Sequence, residues 1–204
     1  MIKKTIKNLY TNDTQVILAS SSQTRQDILK GYDIDFEVRP HRVDEDILKK
    51  KLIHLDPEQL VIKIAKAKAE SQAYNKNNEI IIGSDQLLYC KGKLISKAKN
   101  LDEAKEKLMF LNNSKHKLLN AVYIIWKEET IWIKETKAKL FMRKMTEIDI
   151  ETYLEKNKKN ILKTVGGYKI EEDRMKLLTV IEGKLEDIQG FPISSFISYL
   201  KGCK

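Results

Sequence analysis

The sequence predicts an α/β fold. Three features carry this: short apolar runs alternate with amphipathic stretches along the whole chain, no repeat or low-complexity tract interrupts them, and no Pro/Gly/Ser-rich linker divides them. Gln15 to Ala19 reads as a buried strand. Ser22 caps a following helix to about Lys30, which Gly31 ends. Phe36 to Arg39 is a second, short strand. Asp56-Pro57-Glu58-Gln59 opens a helix to about Tyr74, with Asp at the N-cap and Pro at the first helical position. Glu79 to Gly83 is a strongly β-type run and a central strand. Asn100 to Glu103 resembles a capping box and opens a helix to about Leu111. Leu118 to Trp126 and Thr130 to Met142 are two long strands around a turn containing Lys127, Glu128 and Glu129. Thr146 to Asp149 starts a helix to about Lys156, Leu177 to Ile181 is a further strand, and Phe191 to Leu200 is a last helix with Pro192 near its start.

The 204 residues suit one domain, or two lobes sharing one core. Residues 1–14 read as an N-terminal extension and 15–204 as a single domain. At 42% hydrophobic and 33% charged residues the composition is that of a globular protein. No run approaches the roughly 18 apolar residues of a membrane span, and no apolar run follows the basic start, so neither a membrane partner nor a secretory signal is expected. Cys90 and Cys203 lack metal-type or redox spacing, and a reduced cytoplasmic protein is the simpler reading. His41, His54 and His116 are too scattered for a zinc site. The net charge of +9 raises nucleic acid as a partner, but Lys is interleaved with Glu and Asp throughout, and no recognition helix or aromatic-interleaved basic motif is present. No stable nucleic-acid complex is expected. A phosphate-rich substrate remains compatible with the charge.

Five segments could carry chemistry. In Ser20-Ser21-Ser22-Gln23-Thr24-Arg25 a strand runs into small hydroxyl residues at a helix start, where free N–H groups and the positive dipole end favour an anion; a plain N-cap with a solvated Arg25 is the alternative. Gly83-Ser84-Asp85-Gln86 places a carboxylate just past an apolar strand, to hold a divalent metal, to take a proton from water, or only to cap a turn. Lys68 shares a helix face with Val61, Ile64 and Ala65, so it either snorkels to solvent or meets an anion. Lys97 follows a β-turn and short strand and is, taken alone, an ordinary surface lysine. Val43-Asp44-Glu45-Asp46 is a helix cap or a source of carboxylate oxygen for magnesium.

Together these residues resemble the Maf (septum formation) family of nucleotide pyrophosphatases, from Val16 onward. Ala19-Ser20-Ser21-Ser22-x-x-Arg25 is similar to the family's A-S-x-S-P-x-R. Val43-Asp44-Glu45, Leu60-Val61 through Ala65-x-x-Lys68-Ala69, and Gly83-Ser84-Asp85 follow in family order. Lys97 falls at the family's G-K-P. Ile181-x-Gly183 and Gly190-Phe191-Pro192 resemble its I-x-G and G-[LF]-P. The resemblance implies a mixed sheet like that of inosine triphosphate pyrophosphatase, with two lobes around a central cleft. It implies hydrolysis of a nucleoside triphosphate to the monophosphate and pyrophosphate, a divalent metal (Mg or Mn), and a homodimer. It makes Asp85 the general base and, with Glu45, a metal-linked carboxylate. Ser20, Ser22, Arg25, Lys68 and Lys97 would then grip phosphates. Gln86 in G-S-D-Q, and Gly167-Tyr168-Lys169-Ile170-Glu171 against the family's G-S-F-K-x-E, resemble the subgroup acting on 7-methyl-GTP, placing Gln86, Lys169 and Glu171 near the base or its phosphates. The dTTP/UTP subgroup carries G-A-D-T instead. A weakly active nucleotide-binding division regulator is the further alternative. The chain departs from the family at Gln23 (Pro in the family), at Ser96 and Ala98 around Lys97, and at Leu119-Asn120-Ala121 (Y-T-G).

Overall fold

The computed structural model describes residues 14–73, 78–170 and 176–202. It shows a mixed α/β protein with a seven-stranded sheet and seven helices among these residues. The strands are β1 (Gln15–Leu18), β2 (Glu37–Val38), β3 (Glu79–Cys90), β4 (Lys93–Ile95), β5 (Ser114–Trp126), β6 (Glu129–Met142) and β7 (Leu178–Glu182). The helices are α1 (Gln23–Gly31), α2 (Glu45–Lys51), α3 (Pro57–Glu70), α4 (Leu101–Leu111), α5 (Glu147–Ile161), α6 (Leu185–Gln189) and α7 (Ile193–Leu200). Strands pair in the order β2-β1-β3-β5-β6-β7, and β4 pairs with β3 off this path. β1 is parallel to both β2 and β3, whereas β3–β4 and β6–β7 are antiparallel. No described helix is long and apolar enough to cross a membrane.

The chain divides into two compact units, and β3, β5 and β6 contribute to both. The first unit takes residues up to Asp85, then 120–136, then from Gly190 onward. Its core holds Val16, Leu18, Leu29, Ile80, Ile82, Val122, Ile124, Phe191 and Phe196, so β1, β3 and β5 bury continuous apolar runs against α1 and α7. The second unit takes residues 86–119 and 137–189. There Leu88, Leu108, Leu118, Leu140, Ile150, Leu154 and Tyr168 form a separate core, in which α4 packs on α5.

Local signals set most boundaries. Ser22, Asp56, Asn100 and Thr146 each accept an N–H from the first turn of their helix, and Thr146 with Asp149 forms a full capping box. The β5–β6 connection turns on Lys127 and Glu128, both at positive φ, which gives it the twist that a two-residue hairpin needs.

Several boundaries differ from expectation. β3 does not stop at Gly83 but runs on to Cys90, because Leu88 to Cys90 find a ladder partner in β4 and Ser84 and Asp85 are themselves buried. α3 ends at Glu70, where the Ser71 hydroxyl donates to the Lys68 carbonyl and closes the helix; Tyr74 lies outside the described residues. α5 continues to Ile161, since buried Ile150, Tyr153, Leu154 and Ile161 keep helical spacing past Lys156. Gly31 remains helical, and Asp33 takes the left-handed conformation beyond it. α7 begins at Ile193 with Pro192 as its N-cap residue. α2 confirms the helical stretch after Asp44, and α6 is an element the sequence reading missed.

Candidate active site

The expected site residues of the first unit gather at two places along β1 and β3. At the end of β1, Ser20 is buried, and its Oγ accepts the Ser22 N–H at 3.2 Å and the Arg25 Nη1 at 3.2 Å. Arg25 sits in the first turn of α1 but is buried rather than solvated, and its Nε donates to the Gly190 carbonyl at 3.2 Å. Burial pushes the guanidinium below its ordinary pKa, and the nearby carboxylates of Asp85 and Glu45 push it back up. Ser84 also points its hydroxyl at the Gly190 carbonyl, at 3.5 Å.

The second place is built by α3 against β3. Lys68 continues the buried face of Leu60, Val61, Ile64 and Ala65, and its own side chain is only 5% exposed. It does not snorkel. Its Nζ lies 2.6 Å from Asp85 Oδ1 and 2.8 Å from Glu45 Oε1. Two carboxylates therefore share one ammonium, which is what makes a buried lysine tolerable. Asp85 lies within β3 and is buried, and its second oxygen, Oδ2, has no hydrogen-bond partner. Glu45, at the start of α2, is held from two further directions. His41 Nε2 stands 3.4 Å from Oε1, and Lys49 Nζ 3.2 Å from Oε2. These contacts hold the Glu45 carboxyl far below its ordinary pKa: the His41 hydrogen bond first, then the charges of Lys68 and Lys49. Because His41 Nδ1 accepts the Val43 N–H at 3.3 Å, the ring proton sits on Nε2 and is donated to Glu45.

Ser20, Ser22, Arg25, Glu45, Lys68 and Asp85 thus belong to one unit, and Arg25, Glu45, Lys68 and Asp85 are electrostatically linked. The remaining expected residues belong to the second unit. Gln86 Nε2 donates to the Ile188 carbonyl at 3.0 Å and reaches that of Asp187 at 3.5 Å, so its amide nitrogen ties β3 to the end of α6. Lys97 is exposed on the loop after β4, and its carbonyl accepts from Lys107 Nζ at 2.9 Å. Lys169 is half-buried in the segment after α5, and Glu171 lies outside the described residues.

Two participants were not foreseen. His41 has no zinc-type spacing to the other histidines, and its one signal in the sequence is a glutamate four residues later. The Gly190 acceptor is a main-chain carbonyl, and Gly190-Phe191-Pro192 marks its position in the sequence but not this role.

Among the described residues no three His, Cys, Asp or Glu side chains converge as a metal cage. Glu45 and Asp85 nevertheless present oxygens to one point, and Asp85 Oδ2 is buried without a partner. Such a pair fits a small hard dication that takes its other ligands from water and substrate phosphate.

The family model described as Maf-like protein matches residues 15–203. A nucleoside triphosphate pyrophosphatase of Ruegeria sp. (strain TM1040) is 33% identical over 189 residues, covering 92% of this chain and 95% of that protein. A 7-methyl-GTP pyrophosphatase of Bartonella henselae is 31% identical over 186 residues, covering 91% and 94%. A dTTP/UTP pyrophosphatase of Bacillus cereus is 31% identical over 187 residues, covering 92% and 94%. With the match running through both units and every described site residue, the chain belongs to the Maf-like protein family.

Proposed function

We propose that this protein is a nucleoside triphosphate pyrophosphatase that hydrolyses 7-methyl-GTP, with Mg or Mn as its metal. The observation that carries the reading is the buried Lys68–Asp85 pair beside half-buried Glu45, with its unpartnered Asp85 oxygen. Asp85 serves as general base: Oδ2 takes a proton from water as the water oxygen bonds to the α-phosphorus. The bond from that phosphorus to the bridging oxygen breaks, leaving the monophosphate and pyrophosphate. Arg25, Lys68 and Lys97, with Ser20 and Ser22, neutralise and orient the phosphates as negative charge builds on the leaving group. Glu45 and Asp85 would hold the metal, which, when bound, lowers the charge on the triphosphate oxygens.

The 7-methyl-GTP preference is supported by Gln86 and by the Lys169–Glu171 segment. Since the Gln86 amide nitrogen is taken by backbone carbonyls, its oxygen is the group left to accept from a base edge, and guanine offers N–H donors there. Glu171 would offset the positive charge of a methylated guanine. The same family resemblance supports action in the cytoplasm on free nucleotides by a homodimer, whose mass light scattering on the purified protein checks.

The test is pyrophosphate release with Mg or Mn across a panel of ordinary and 7-methylated nucleoside triphosphates. Release from 7-methyl-GTP and little from dTTP is expected, with loss of at least about a thousandfold in Asp85→Asn. Faster release from dTTP or UTP would assign the other subgroup. Nucleotide binding without release would leave a binding module.

A further inference from the structure

We infer that Lys68 occupies the place of the metal in the nucleotide-free protein, and that metal and ammonium exchange there, the departing ammonium passing to the substrate phosphates. The inference rests on the proposed metal-dependent reaction and adds an order of events to it.

Three observations converge. Lys68 Nζ is within hydrogen-bond distance of one oxygen from each carboxylate expected to hold a metal, 2.6 Å for Asp85 and 2.8 Å for Glu45. A single cation at that point meets both. Second, Asp85 is 4% exposed and its Oδ2 has no partner, so the ammonium leaves one buried acceptor unsatisfied. That oxygen is the acceptor proposed for the attacking water, so a metal at this point would take Asp85 Oδ1 and Glu45 Oε1, the two oxygens that the ammonium now holds. Third, the charges do not admit both cations. Two carboxylates already face Lys68, with Lys49 on the outer oxygen of Glu45 and Arg25 close enough to feel both. Adding a dication beside the ammonium would put like charges in contact in a buried place, which is unfavourable. Lys68 stands on a long flexible stem on α3, and a triphosphate brings several negative charges of its own. An ammonium released from the carboxylates has a better partner there than water. Lys68 would therefore couple the two ligands: metal arrival frees it, and the phosphates hold it once freed.

The test is Mn2+ binding to the nucleotide-free protein, read by electron paramagnetic resonance of free Mn2+. Wild type should bind Mn2+ weakly, and Lys68→Met, which keeps the stem without the charge, at least about tenfold more tightly. The gain should vanish in the Lys68→Met/Asp85→Asn double variant. Equal or weaker binding by Lys68→Met, or a gain that survives Asp85→Asn, overturns the exchange. A measurement on the unaltered protein covers the case in which the variants fold poorly. The 15Nζ signal of Lys68, protected by its ion pairs, should shift and lose protection on adding Mg2+ alone; no response at saturating Mg2+ overturns the inference. Wild type that releases pyrophosphate only with metal, together with a Lys68→Met protein of unchanged Mn2+ affinity, removes the exchange and leaves the reaction standing. Release that needs no metal removes both.

Discussion

His116 makes the second unit sensitive to acid. The ring is 2% exposed, Nε2 lies 2.7 Å from the Tyr168 hydroxyl, and burial lowers its pKa from the ordinary 6.5 to about 4. A depressed imidazole means that the unfolded chain binds the proton more readily than the fold does. Stability from burying the neutral ring is therefore complete above about pH 6.5 and is lost progressively as pH falls toward 4. One pH unit is worth about 1.4 kcal/mol, so the full interval is worth about 3 kcal/mol. Between about pH 7.5 and pH 5 the loss from this group alone is about 2 kcal/mol, a large fraction of an ordinary domain's stability. Urea unfolding followed by far-ultraviolet circular dichroism at the two pH values measures it. His116→Gln, which cannot titrate in this range, should be less stable at neutral pH but should lose about 2 kcal/mol less on acidification than wild type. Carboxylates elsewhere affect both proteins alike and cancel. Equal acid losses in the two proteins would refute the reasoning. Tyr168, the hydrogen-bond partner of His116, directly precedes Lys169 in the chain.

Two further perturbations separate roles in the second unit. Gln86→Ala removes the donor to the Ile188 carbonyl and should lower stability by about 1 kcal/mol, besides altering nucleotide preference; a changed substrate profile with an unchanged melting midpoint would mean that the tie to α6 contributes nothing. Lys97→Ala, at an exposed loop position, should leave the melting midpoint within about 1 °C while raising KM or lowering kcat for pyrophosphate release; unchanged kinetics would return Lys97 to the ordinary surface lysines.

The fold was legible where local chemistry decides it. Ser22, Asp56, Asn100 and Thr146 each cap a helix that starts at the very next residue, and each of these starts is readable from the sequence. Ends set by tertiary partners were not. Nothing in Ser84-Asp85-Gln86 says that the strand continues; a short strand before Lys97 is readable in the sequence, but its pairing with Leu88 to Cys90 is supplied only by the fold. The site shows the same division. Lys68 stood out as a charge on an apolar face, and the structure gives it the anions that such a position requires. Arg25 left two readings open, since a first-turn arginine looks the same in sequence whether it points to solvent or toward a carbonyl 165 residues away. Gln86 resembled a base reader by its place in a motif, yet its nitrogen is bound to the main chain of α6, a short helix that the sequence reading did not contain.

Gly83 explains why the carboxylate and the lysine meet at all. Side chains alternate along a strand, so Gly83 and Asp85 face the same way, toward α3, while Ser84 faces the other way and reaches Gly190. A Cβ at Gly83 would lie 2.1 Å from the Ala65 carbonyl oxygen and 2.6 Å from the Ala69 nitrogen. The helix backbone therefore rests directly on the strand, with Ala65 and Ala69 as its small contact residues, and one turn of α3 brings Lys68 onto Asp85. Glycine two residues before the aspartate is thus a distance setting for the ion pair. Gly83→Ala should cost about 3 kcal/mol or more, because the obstruction is main chain rather than a movable side chain. Whatever fraction folds should do so by lifting α3, which lengthens the Lys68–Asp85 contact, so pyrophosphate release per folded molecule should fall as well. Ala69→Gly should not rescue it, since only the 2.8 Å contact with the Ala69 Cβ is relieved and the two closer atoms remain. Thermal unfolding of the three proteins decides the matter: a Gly83→Ala protein with the wild-type midpoint, or full rescue by Ala69→Gly, would show that helix and strand are not in backbone contact and that the lysine is delivered to the carboxylate by its stem alone.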